Sequence, residues 1–160
     1  PLDIRHDADD VSVIGQFNSE STICKEGKDV SILSQTGRGY YILAVLGVGQ
    51  EPTNHALHDI EKERAAFEAW GRPVVLLFES EADAKKFQKE EFGSLPSTVI
   101  YAIDKDGSIR EQIAREMKLQ SKTQMPMFII ADTFNRVVFS SQGYTIGLGE
   151  QMKNVFKKLQ

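Results

Sequence analysis

The sequence predicts a three-layer α/β sandwich with a mixed central sheet and an N-terminal β-hairpin. Three observations carry that prediction. Tyr40–Leu46 and Pro73–Phe78 are uninterrupted apolar runs of strand length, as expected for strands covered on both faces. Stretches with apolar residues at helical spacing separate the strands, and alternating buried strands and helices assemble a parallel sheet. The last two strand candidates, Met127–Ala131 and Val137–Ser141, are joined by a tight turn, which makes that pair antiparallel.

Residues 1–10 are polar and without a period and read as a linker or disordered terminus, leaving 11–160 as a single domain. Val11, Val13 and Phe17 alternate with polar residues, and Val30 and Ile32 do so again beyond a turn containing Gly27, predicting an edge hairpin. Gly37 and Gly39 break the chain before the Tyr40 run. Pro52 and Thr53 then open a helix that carries Leu57, Ile60, Phe67 and Trp70 inward and stops at Gly71. After the Pro73–Phe78 strand, Ser80 and Asp83 form a capping-box pattern for a helix reaching about Glu91. Thr98–Ile103 is a third strand, ended by the turn Asp104-Lys105-Asp106-Gly107. Ile109, Ile113 and Met117 recur every four residues and mark a short helix. Leu148, Met152, Val155, Phe156 and Leu159 share one face of a closing helix.

Composition narrows the function. One cysteine in 160 residues allows no intramolecular disulfide, no Cys-x-x-Cys pair and no cysteine-rich zinc site. A net charge of −4, from 19 basic and 23 acidic residues, provides no electrostatic footprint for nucleic acid or an anionic membrane. The longest apolar stretch, Tyr40–Val48, is far short of the roughly 20 residues that cross a bilayer. The chain starts at Pro1 rather than Met, so it reads as a processed product or an excised segment.

Three local patterns fall in a familiar order. The Tyr40–Leu46 strand runs through Gly49-Gln50-Glu51-Pro52-Thr53 into a helix; Met125-Pro126 leads the strand Met127–Ala131; and Asn135–Phe139 continues to Gly143-Tyr144. In this order the sequence resembles the thioredoxin-like superfamily, closest to its peroxiredoxin and thiol-disulfide oxidoreductase branches, over nearly the whole chain from residue 11. The resemblance implies that Met125-Pro126 is cis and faces the site. It also places Gln50 where the family has its attacking cysteine and Thr53 where it has the resolving one. Thiol exchange needs a thiolate to attack sulfur and a second thiol to release the mixed disulfide. An amide and a hydroxyl supply neither. Cys24, far from this helix start in sequence, reads as an incidental small side chain, with a regulatory thiol as the alternative.

Gln50, Glu51, Pro52, Thr53, Asn54, Met125 and Pro126 are therefore the candidate site, as degenerate catalytic positions that retain a shallow groove. Polar residues at a strand-to-helix turn suit ligand binding at the carboxyl ends of strands. The plainer reading is a helix start with Pro52 preset for its first turn and Thr53 or Asn54 as cap. His55 and His58, near Glu51 and Asp59, could share a metal, but zinc needs a third ligand and His6 lies in the terminal stretch. No metal and no cofactor are expected. A nucleophilic Thr53 would need a base partner that the sequence does not imply.

The expectation is a redox-inactive thioredoxin-like domain, not an enzyme, acting as a protein- or peptide-interaction or structural module of a larger bacterial protein. The alternative is a thioredoxin-fold transferase or peroxidase-like enzyme built on Thr53, Gln50 or His55. The resemblance extends to cysteine-less C-terminal segments of secreted bacterial proteins with an upstream transglutaminase-like domain. It thus implies a periplasmic or extracellular/cell-envelope location, cytoplasm being the alternative. The expected partners are upstream domains of the same polypeptide or an extended peptide, with no nucleic acid and no membrane insertion.

Overall fold

The computed structural model describes residues 12–18, 20–117 and 125–159. The proposed terminal linker lies outside them. Eight strands form one sheet: β1 (Gly15–Gln16), β2 (Thr22–Lys25), β3 (Lys28–Ser31), β4 (Tyr41–Leu46), β5 (Val74–Phe78), β6 (Val99–Ile103), β7 (Met127–Ala131) and β8 (Arg136–Gln142). Their order is β1-β8-β7-β4-β5-β6-β2-β3. β4 pairs parallel with β5 and β5 with β6, whereas β7 runs antiparallel to β4 and β8 to β7. All residues of β4 are buried, as an apolar run in mid-sheet requires.

Among the described residues six α-helices cover the two faces: α1 (Ile32–Thr36), α2 (Glu51–Lys62), α3 (Arg64–Trp70), α4 (Glu81–Lys86), α5 (Ser108–Glu116) and α6 (Leu148–Lys158). The strand period of two sorts side chains onto the faces. Ile42, Ala44 and Leu46 meet Leu57 and Ile60 of α2, Phe67 of α3 and Met152 and Phe156 of α6. Tyr41, Leu43 and Val45 meet Ile32 of α1 and Ile109 and Ile113 of α5. The result is the expected three-layer sandwich. Among the described residues no helix is long and apolar enough to cross a membrane.

Three local expectations are corrected. The edge hairpin is β2–β3, turning at Glu26 and Gly27, whose φ of 54° and 80° suit a tight hairpin turn. The Val13–Phe17 segment instead supplies β1, which pairs with β8 at the opposite edge of the sheet. Alternation registers a strand in each place but not its partner. The helix expected to run to Gly71 breaks at Glu63 (φ −101°, ψ 19°) into α2 and α3. Beyond the break Trp70 stacks on Phe156 at 4.1 Å and Phe67 meets the same ring edge-on at 5.0 Å. Finally, the helix opened by Ser80 ends at Lys86 rather than near Glu91. It buries no residue of its own, so little tertiary packing prolongs it. Phe87 turns out of helical geometry and stacks on Phe92 at 5.4 Å. α1 was not expected; Ser31 caps it by accepting a hydrogen bond from the Ser34 N–H.

Candidate functional site

Strand direction brings the site together. β4 ends at Leu46, and its antiparallel neighbour β7 begins at Met127, opposite Val45. β8 ends at Gln142, opposite the same Met127. The segments after β4, before β7 and after β8 therefore converge at one end of the sheet, far apart as they are in sequence. The Gly143 N–H donates to the Pro126 carbonyl at 2.8 Å and ties two of them together. The Met125-Pro126 peptide bond is cis.

Between these segments lies an open cleft of about 660 Å³, lined by Gln50, Glu51, Pro52, His55, Met125, Gly143 and Tyr144. Four of the seven candidate residues thus line one surface. Pro126 contributes its carbonyl to the tie beneath. Asn54 turns to a separate cleft of about 290 Å³ with Gly49, Phe87 and Phe92. Thr53 faces inward: it is 1% exposed, and its Oγ1 accepts the Gly47 N–H at 3.0 Å. This bond closes the turn between β4 and α2, leaving the hydroxyl oxygen occupied by backbone.

The cap also differs from the expected one. Gln50, not Thr53 or Asn54, is the N-cap of α2, and it makes no side-chain capping bond. Its carboxamide folds back over Gly47. A Cβ on Gly47 would stand 2.5 Å from Gln50 Oε1 and 2.9 Å from Met125 Cβ. Glycine at 47 is what lets the Gln50 amide and the Met125 Cβ both come this close to the turn.

His55 and Tyr144 were not among the candidate groove residues. Their rings face each other across the cleft wall with centroids 5.4 Å apart, tilted by 32°. Tyr144 follows the glycine that ends the last hairpin, which is the sequence signal that could have found it. His58 goes elsewhere: its Nδ1 lies 2.6 Å from Glu61 Oε1 and its ring 4.8 Å from Phe92. The two histidines therefore do not share a ligand position. Among the described residues no group of three His, Cys, Asp or Glu side chains is placed to hold a metal.

The buried polar groups of the fold serve structure. Burial, with the Asp132 carboxylate, pushes the Tyr41 phenol up, and its hydroxyl donates to Asn135 Oδ1 at 2.6 Å, at the end of β4 away from the cleft. Burial also raises the Asp104 carboxyl, although it accepts the Ile109 and Arg110 N–H groups at the start of α5. Cys24 sits on β2, half-buried. With β5, β6 and β2 in succession beyond β4, it lies three strand spacings from the site strand, roughly 14 Å.

No family model and no curated protein matches the chain. Solved structures do match the fold. Reduced Prx3 from Vibrio vulnificus superposes with a TM-score of 0.65 at 15% identity, covering 89% of this chain and 97% of that one. A thiol:disulfide interchange protein from a Bacteroides species gives 0.60 at 17%, covering 90% and 88%. BsSco, of the Sco family of cytochrome c oxidase assembly proteins, gives 0.63 at 15%, covering 93% and 96%. The fold is thioredoxin-like.

Proposed function

We propose that this chain is a thioredoxin-like domain without thiol–disulfide chemistry, working as a protein- or peptide-interaction module of a larger bacterial protein of the periplasm or cell envelope. One observation carries the reading: the two positions that would exchange thiols hold Gln50 and Thr53, yet the cleft beside them stays open. Thr53 is engaged by the Gly47 N–H and buried, which leaves it no access to a substrate. Cys24, several strands away, cannot supply the missing thiol pair. What remains is a surface at the head of β7, suited to an extended segment aligned by main-chain hydrogen bonds.

Insulin-reduction and peroxide-consumption assays on the untreated domain should show no turnover above buffer. A library of extended peptides selected on the domain should yield binders whose amide shift changes map to Gln50, Met125 and Gly143. Turnover that disappears in Gln50→Ala, or binders that map away from these residues, would overturn the reading.

A further inference from the structure

The cleft's chemistry is one-sided. Among the described residues Glu51 carries its only carboxylate, and no lysine or arginine lines it. Glu51 is exposed and has no hydrogen-bond or ion-pair partner among the described residues. The start of α2 is also poorly equipped for an anion. Pro52 has no N–H to offer, and Glu51 already places a negative charge in the first turn, where the helix dipole favours it. The Tyr144 ring, paired with His55, lines the same cleft as this carboxylate. A carboxylate and an aromatic ring lining one cleft can together hold an ammonium or guanidinium group, the first by charge and the second by its ring quadrupole.

We infer that the extended segment taken by the cleft presents a lysine or arginine side chain to Glu51 and Tyr144, while Gln50 and the Met125 backbone meet its main chain. Glu51 is then a specificity-determining residue, and the partner is a basic segment rather than any extended one. The inference rests on the groove reading above.

The test uses fluorescent heptapeptides Thr-Val-Thr-Xaa-Thr-Val-Thr, with lysine, arginine, norleucine or glutamate at the centre, titrated into the whole chain. The lysine and arginine peptides should bind about five- to tenfold tighter than the norleucine peptide, the scale of a partly exposed charge-assisted contact, and glutamate weakest. Glu51→Gln should reduce the lysine advantage to less than about twofold, and Glu51→Lys should turn the preference toward glutamate. Glu51 is exposed, so both variants should keep the wild-type circular dichroism spectrum. Raising salt to about 300 mM should erode the lysine advantage and spare norleucine binding. Equal binding of lysine and norleucine peptides, or a lysine preference that survives Glu51→Gln, overturns this inference while the groove reading stands. Absence of binding by all four peptides overturns both.

Discussion

Replacing Thr53 with valine keeps the branched shape of the side chain and removes one oxygen. That oxygen accepts the Gly47 N–H at 3.0 Å in a buried setting, and Gly47 is itself buried. Valine therefore strands a donor that water does not reach, at a cost of about 1–3 kcal/mol. For a chain of this size each kcal/mol moves the melting temperature by roughly 2–4 °C, so a cost of about 2 kcal/mol lowers it by about 4–8 °C. Thr53→Ser is the control: it keeps the acceptor and loses one buried methyl, worth about 0.8 kcal/mol. Thermal unfolding ranks the three proteins, and the Gly47 amide proton reports the bond directly, moving upfield in the valine variant and holding its place in the serine variant. A valine variant as stable as the parent, with the Gly47 amide unmoved, would refute the assignment of Thr53 to the turn. The outcome bears on function, because a hydroxyl committed to the backbone is unavailable as a nucleophile.

Three further perturbations follow from the same geometry. Gln50→Cys with Thr53→Cys should yield a disulfide that forms in air and is released by dithiothreitol, read by mass shift after alkylation; two thiols that stay free would count against the match of these positions to a redox pair. Gly47→Ala should destabilise the domain by about 1–3 kcal/mol in urea unfolding and weaken peptide binding, because the new methyl meets Gln50 and the rigid Met125 Cβ; unchanged stability would contradict that close approach. Asp104 should titrate above its ordinary 3.8, since burial outweighs its two amide bonds. A carboxyl with a raised folded pKa contributes stability that is full below pH 3.8 and is lost as pH rises through the folded value, so Asp104→Asn should flatten that stretch of the stability–pH curve. A carboxyl-carbon NMR titration with its midpoint at or below 3.8 would contradict the burial argument.

On the proposed reading, the cleft keeps its geometry while Gln50 and Thr53 stand where a thiol pair would be. The Gln50 amide lies where three strand ends converge, held against Gly47 and Met125, and Thr53 locks the turn beneath it. These two residues act differently. Gln50 shapes what the cleft surface presents, and Thr53 is an internal support of the turn. Binding at such a surface needs only that the turn and the head of β7 keep their places, which the Gly47–Thr53 and Gly143–Pro126 hydrogen bonds provide.

Sequence alone determined the layers of this protein. Apolar runs such as Tyr41–Leu46 can be satisfied only in mid-sheet, and the helical spacing of Leu148, Met152 and Phe156 needs one buried face; both are local signals written in hydrophobic period. The polar strand-to-helix turn marked Gln50, Glu51 and Pro52 as a local feature, and the resemblance to thioredoxin-like proteins added Met125; all four line the cleft. Tertiary structure decided the rest. Which edge Gly15–Gln16 joins depends on pairing with β8, more than 100 residues away, and alternation carries no partner information. Whether Thr53 faced the cleft or the interior was settled by the Gly47 N–H, a donor no sequence pattern announces. His55 and Tyr144 became one wall of the cleft only when β8 ended beside α2, since side chains some 90 positions apart meet through strand order, not through spacing along the chain.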